Sequence, residues 1–232
     1  MKIGVFAKAE SDPQGQYTRA VRERITARGY IIVQENENAD AWISLGGDGT
    51  MLRAVRQAKG APVLGINLGN IGYLTDTDKE NGLEAVNALL DGHYTVQQRM
   101  MLTTGTHTAL NDVVIKGNRL TCFNITIENN KIAEVRADGL IIATPTGSTA
   151  YNRSAGGPIL LPNSNLFALT PICPMDAQAR SWAVPAEGEI TITANRAVTI
   201  ELDGEETAAL PAGESLVVCK AQQHAAIIKT NK

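Results

Sequence analysis

The chain is poor in the residues that most often announce a function. Among 232 residues there are three cysteines and three histidines, and aromatics make up only 4%. Cys122, Cys173 and Cys219 form no CxxC pair. A disulfide framework and a zinc site are therefore excluded, and an odd, scattered count fits a reducing compartment. His93, His107 and His224 share no cluster and no HExxH, so they read as surface or structural residues. Lysine and arginine form no run and the formal net charge is −3, which argues against a general nucleic-acid binder. The opening MKIGVFAKAE is too short in its apolar run for a signal peptide or a membrane span. GxxxxGK[ST] and GxSxG are absent, and Leu52 stands where a dinucleotide fingerprint would need glycine after Gly47 and Gly49. These absences leave a soluble, cytoplasmic chain with neither membrane nor nucleic acid as a partner.

What is present divides into two halves of different period. Up to residue 97, strand-like runs (KIGVF, YIIV, AWISL, PVLGIN) alternate with helical patterns at 16–28, 50–59 and 80–90. That alternation predicts βαβ units and a parallel sheet. From residue 98 to 232 the helical period fades. FNITIEN, KIAEVRA, GLIIATP, EITITAN, AVTIELDG, ESLVVCK and AAIIKT are short β-rich runs separated by Gly, Asn and Pro. They predict an all-β, sandwich-like second domain whose last strand is free to pack back on the first.

Four segments carry chemistry. In ISLGGDGTMLRA, Gly46, Gly47 and Gly49 strip a bend of side chains around one carboxylate, Asp48, with Thr50 beginning a helix. A lone GGDG is an ordinary tight turn. Placed after a parallel strand, its backbone N–H groups can also cradle phosphate, and its acid can take a proton from an acceptor hydroxyl. GINLGNIGYLTD, residues 65–76, puts further glycines after the next parallel strand, so the two loops would form one crevice. Asn111 and Asp112 open the strand NDVVIKG. They are plain turn formers or, alternatively, an amide for the N6/N7 edge of adenine and an acceptor for ribose hydroxyls; Asp138 carries the same ambiguity. TPTGSTAYN collects Thr144, Thr146, Ser148 and Thr149 around a bend, with Tyr151 able to cover a purine face. Its bland reading is a capped helix inside a β domain.

These segments together resemble the NAD kinases. LGGDGT, GINLGNIGYL, the ND pair, DGLIIATPTGSTAYN with SAGGPI, and PICP occur in that family's order and approximate spacing. GGDGT alone is shared with diacylglycerol and sphingosine kinases. The resemblance implies an α/β domain and a β-sandwich-like domain, with ATP-dependent phosphorylation of the adenosine-ribose 2′-hydroxyl of NAD. It makes Asp48 the proton acceptor, with Gly49 beside the ribose, and Gly46, Gly47 and Thr50 as the phosphate loop. Asn111 would bind adenine, Asp112 ribose hydroxyls and Asp138 the nicotinamide end, with Thr146, Thr149, Ala150 and Tyr151 lining the adenosine pocket. It also implies Mg²⁺ or another divalent cation arriving with ATP, no metal held by the protein alone, and a homodimer or homotetramer. The chain departs from the pattern at Asp112, where Glu is commoner, at Met175 after PICP, at Arg153, and in LDGEE around Asp203. A lipid kinase and a non-catalytic dinucleotide sensor are the other readings of the same residues.

Overall fold

In AWISL and VLGIN every residue is buried, as strands covered by helices on both faces require. A computed structural model of the chain describes residues 1–69, 72–105, 107–176 and 178–230, with only the backbone of Glu206. Two compact units result, Met1–Gln98 together with the chain from His224 onward, and Arg99–Gln223.

In the first unit β1 (Lys2–Ala7), α1 (Gln16–Ala27), β2 (Ile31–Val33), β3 (Ala41–Leu45), α2 (Asp48–Ala58), β4 (Val63–Asn67), β5 (Thr77–Asp78), α3 (Gly82–Leu90) and β6 (Tyr94–Arg99) follow one another. The sheet runs β2-β1-β3-β4, continues through the terminal strand Ala225–Thr230 and ends at β6. β1 pairs in parallel with β2 and β3, β3 with β4, and β4 with the terminal strand. The order reverses between β1 and β3, so the bend after β3 lies at the switch point where open α/β sheets hold ligands. Helix α2 buries Met51, Ala54, Val55 and Ala58 at helical spacing and ends on Lys59 at φ 47. It starts at Asp48, two residues before the position read from sequence. Gly47, extended, serves as its N-cap, which admits the acid into the first turn where the helix dipole favours it. Helix α1 follows a Gly15 at φ 64, and the Asp12 carboxylate accepts the Thr18 N–H and hydroxyl, which holds its carboxyl below the usual range.

The second unit is antiparallel throughout its described pairings. It contains β7 (Leu102–Thr103), β8 (Thr108–Ala109), β9 (Asp112–Ile127), β10 (Asn130–Ala143), a 3-10 turn (Gly147–Thr149), α4 (Tyr151–Ser154), β11 (Leu166–Ile172), β12 (Trp182–Pro185), β13 (Ile190–Ala194), β14 (Val198–Leu202), β15 (Glu205–Leu210) and β16 (Ser215–Lys220). β9 pairs with β14 along its first part and with β13 along its second. One core gathers Leu102, Phe123, Ile142, Phe167, Ile192, Ile200 and Val218 from these strands. NDVVIKG and FNITIEN, separate runs in the sequence, are one strand; the intervening residues are absorbed as an irregularity opposite Asp138. β11 escaped the sequence reading because Pro171 argues against a central strand. Its partner β12 reaches only Leu166–Leu169, so the missing N–H of Pro171 falls beyond that ladder. Among the described residues no helix is long and apolar enough to cross a membrane.

Candidate functional site

In the first unit the glycine bend is fixed by contacts that a side chain would block. Gly46 stands at φ 153, and Thr50 occupies the space where its Cβ would lie. Its N–H donates to the Ile66 carbonyl at the end of β4, 3.0 Å away. The Thr50 and Met51 N–H groups donate to the Gly47 carbonyl at 3.0 and 3.1 Å. Asp48, half-buried, then reaches the loop after β4: its Oδ2 accepts the Tyr73 N–H at 2.8 Å and its Oδ1 the Leu74 N–H at 3.0 Å. Gly72 makes this possible, since a Cβ there would collide with the Asp48 carboxylate. The two glycine loops therefore meet at Asp48. Asn67 braces the second loop, its Oδ1 accepting the Gly69 N–H at 2.8 Å; Asn70 and Ile71 of that loop lie outside the described residues. Gly49 is exposed beside the carboxylate. The arrangement presents one oriented carboxylate on a backbone scaffold, with open space next to it.

In the second unit the organising group is Asp203, to which the sequence assigns no role. Asp203 and Gly204, at φ 51 and 79, form the two-residue turn between β14 and β15. The Asp203 carboxylate accepts the N–H groups of Leu110, Asn111 and Asp112 at 3.0, 2.7 and 3.3 Å. On the other side, the Thr144 N–H donates to the Asn111 carbonyl at 2.9 Å and the Thr144 hydroxyl to the Leu110 carbonyl at 2.6 Å. Gly147 packs on the Asn111 backbone so closely that a Cβ would overlap it. The backbone of Asn111 is thus fully engaged, while its side-chain amide has no partner among the described residues.

The hydroxyls of TPTGSTAYN sort into two groups. Ser148 Oγ donates to the Pro145 carbonyl at 2.7 Å and accepts the Leu160 N–H at 3.0 Å. Thr149 Oγ1 donates to the Thr146 carbonyl at 3.1 Å. Asn152, fully buried, donates to the Ser148 and Pro158 carbonyls and accepts the Thr170 hydroxyl. These groups, with Thr144, hold the segment together, as the capped-helix reading expects. The Thr146 hydroxyl and the Asp112 carboxyl, both in buried residues, have no protein hydrogen bond among the described residues. Together with the Asn111 amide they leave three polar groups on adjoining segments for something other than the protein.

Asp112 is 4% exposed. Burial, first, and then the charges of Asp203 and Glu201 push its carboxyl up to about 7, against the opposing pull of Lys116. Tyr151 lies at the start of α4 with its ring partly open to solvent, and the Lys116 Nζ sits 5.5 Å from the ring centroid. Ala150 provides the carbonyl that starts α4, accepting the Arg153 N–H at 3.1 Å. Asp138 stands apart: it is exposed at the β10 irregularity, five positions before Ala143, roughly 16 Å along an extended strand. Among the described residues no group of three or more His, Cys, Asp or Glu could hold a metal ion.

Residues 1–94 match the ATP-NAD kinase N-terminal domain and residues 110–230 the ATP-NAD kinase C-terminal domain. An NAD kinase of Ruminiclostridium cellulolyticum is 35% identical over 266 aligned residues, covering 99% of this chain and 93% of the relative. One from Chlorobium phaeobacteroides is 40% identical over 202, covering 81% and 71%. The crystal structure of an Archaeoglobus fulgidus NAD kinase in complex with ATP superposes with a TM-score of 0.85 at 25% identity, covering all of this chain and 95% of that one. Yeast NADH kinase complexed with NADH gives the same TM-score at 22% identity, a likeness of fold.

Proposed function

The chain belongs to the ATP-NAD kinase family, and from that premise we propose that it transfers the γ-phosphoryl group of ATP to the adenosine-ribose 2′-hydroxyl of NAD, giving NADP and ADP. The observation that carries the reading is Asp48, pinned by two backbone N–H groups in an intact GGDGT at the switch point of the sheet. Asp48 accepts the hydroxyl proton as the new O–P bond forms and the bond to ADP breaks, and a positioned base of this kind contributes about 10²–10⁴-fold. The Thr50 side chain fills the space above Gly46 and so holds the bend in shape, leaving Gly47 and Gly49 as the backbone that approaches the nucleotide.

Asn111 and Asp112 suit the adenosine half of NAD. The unpartnered amide fits the N6/N7 edge of adenine, and the buried carboxyl fits ribose hydroxyls, whose hydrogen bonds would favour its ionised form. Thr146 adds its free hydroxyl and Tyr151 its open ring face, while Thr149 and Ala150 shape the wall by holding the turn. We assign Asp138 to the nicotinamide end on family resemblance alone.

A divalent cation neutralises phosphate charge in such transfers. The Asp48 carboxylate of the glycine bend suits a cation that keeps its waters and is carried chiefly by the phosphates of ATP. Homodimeric or homotetrameric assembly and a cytoplasmic location complete the proposal, and light scattering tests the first. The deciding experiment is incubation of the purified chain with Mg²⁺, ATP and NAD. NADP is the expected product, and its absence from folded protein that still binds NAD would favour the sensor reading instead.

A further inference from the structure

β9 places Asp112, Val114 and Lys116 on one face, because side chains alternate along a strand. Glu201 of β14 lies directly across from Val114 and so shares that face. The Lys116 Nζ donates to both carboxylate oxygens of Glu201, at 2.8 and 2.7 Å, while standing 5.5 Å from the centre of the Tyr151 ring. One ammonium group thereby joins a carboxylate, an aromatic ring and the neighbourhood of Asp112. We propose that Lys116, locked by Glu201, is a positioning residue of the dinucleotide site: it fixes the Tyr151 ring from one face and supplies the cation that balances the Asp112 carboxylate. The inference rests on the reading of Asp112 and Tyr151 as NAD-binding groups.

The charges around Asp112 are few enough to name. Lys116 acts along its own strand, Glu201 and Asp203 act from β14 and the turn after it, and Tyr151 sits on α4. The β10 partner, Ala143, carries no charge. Among the described residues Lys116 is the cation acting against two acids and burial, so its removal and the removal of Glu201 should move Asp112 in opposite directions. A merely structural role for the pair predicts two variants damaged alike. The bidentate geometry fixes the ammonium, which would otherwise range freely on four methylenes.

The test is the pH dependence of kcat/KM for NAD in Lys116→Met, Glu201→Gln and Lys116→Arg, beside a carboxylate titration of Asp112 by NMR in the free proteins. Lys116→Met should move the acidic limb of the profile to higher pH by about half a unit to one unit, a loss of roughly 3- to 10-fold near pH 6, and should raise KM more than it lowers kcat. Glu201→Gln should move the limb the other way, and Lys116→Arg should restore the parent profile. Superimposable profiles and unmoved Asp112 titrations in both charge-removing variants would overturn the proposal. If one charge-removing variant fails to fold, the other still predicts a shift of stated sign against the parent-like profile of Lys116→Arg. A parent protein that makes no NADP fails the kinase reading instead, and the Asp112 titrations then decide whether Lys116 balances that carboxylate.

Discussion

At Asp48 a single oxygen-for-nitrogen exchange separates two properties. Asp48→Asn keeps the size of the side chain, but one of the Tyr73 and Leu74 N–H groups then faces an amide NH₂ instead of an acceptor. We expect kcat to fall at least about 100-fold for loss of the base, together with a stability loss of about 1–3 kcal/mol for the unsatisfied donor. Steady-state kinetics beside urea denaturation checks both, and near-normal turnover would return Asp48 to the status of a turn residue. Asp112 behaves in the opposite sense. Folded, it keeps its proton up to about pH 7; unfolded, it releases it near pH 4. Between those values the native state binds more protons, so stability from this group is complete below about pH 4 and is lost as pH rises to about 7. Asp112→Asn should therefore outlast the parent at pH 8 by up to a few kcal/mol, with the advantage vanishing toward pH 4, while NAD binding weakens. A flat difference across that range in denaturant melts would contradict the burial argument. The acid in GGDGT was legible in the sequence because glycines leave it no packing role. Its partners were not, since backbone N–H groups 25 and 26 residues away have no side-chain signature.

Among elements, the β14–β15 turn has the widest reach. A two-residue turn with both φ angles positive favours Asp-Gly, and the same Asp delivers its carboxylate to the amides of residues 110–112. Asp203→Ala removes an acceptor from three N–H groups at once. We expect at least about 1–3 kcal/mol of lost stability and a weaker grip on NAD, since Asn111 and Asp112 would no longer share a fixed backbone. Unchanged NAD affinity by calorimetry would detach the turn from the site. Gly147→Ala tests the same junction from the other side, because the added methyl overlaps the Asn111 backbone; it should cost more than a typical surface glycine substitution. Period and turn residues made β9, β10, β13, β14 and β16 readable. The joining of two runs into β9, and the two fates of the hydroxyls in TPTGSTAYN, were not readable. Both depend on which partner strand or carbonyl comes within reach, and that is settled by packing far along the chain.

At the scale of the whole molecule, the terminal strand Ala225–Thr230 belongs to the sheet of the first unit. Ile227 stands opposite Val63, Ile228 is fully buried in that unit's core, and Asp76 accepts both the N–H and the hydroxyl of Thr230 at 3.0 and 2.6 Å. A chain ending at Gln223 should keep a folded second unit but lose cooperative melting of residues 1–98, with amide exchange of β4 rising toward unprotected rates. Protection of β4 unaltered by the truncation would refute the dependence. The same feature reaches into biosynthesis. While the ribosome is still translating the second unit, the first already waits outside the exit tunnel with one β4 edge bare of its final neighbour, a template for pairing with other nascent chains. At about 5–20 residues per second that interval lasts several seconds or more. The segment that emerges last is therefore the one that completes the sheet begun by the segments that emerged first.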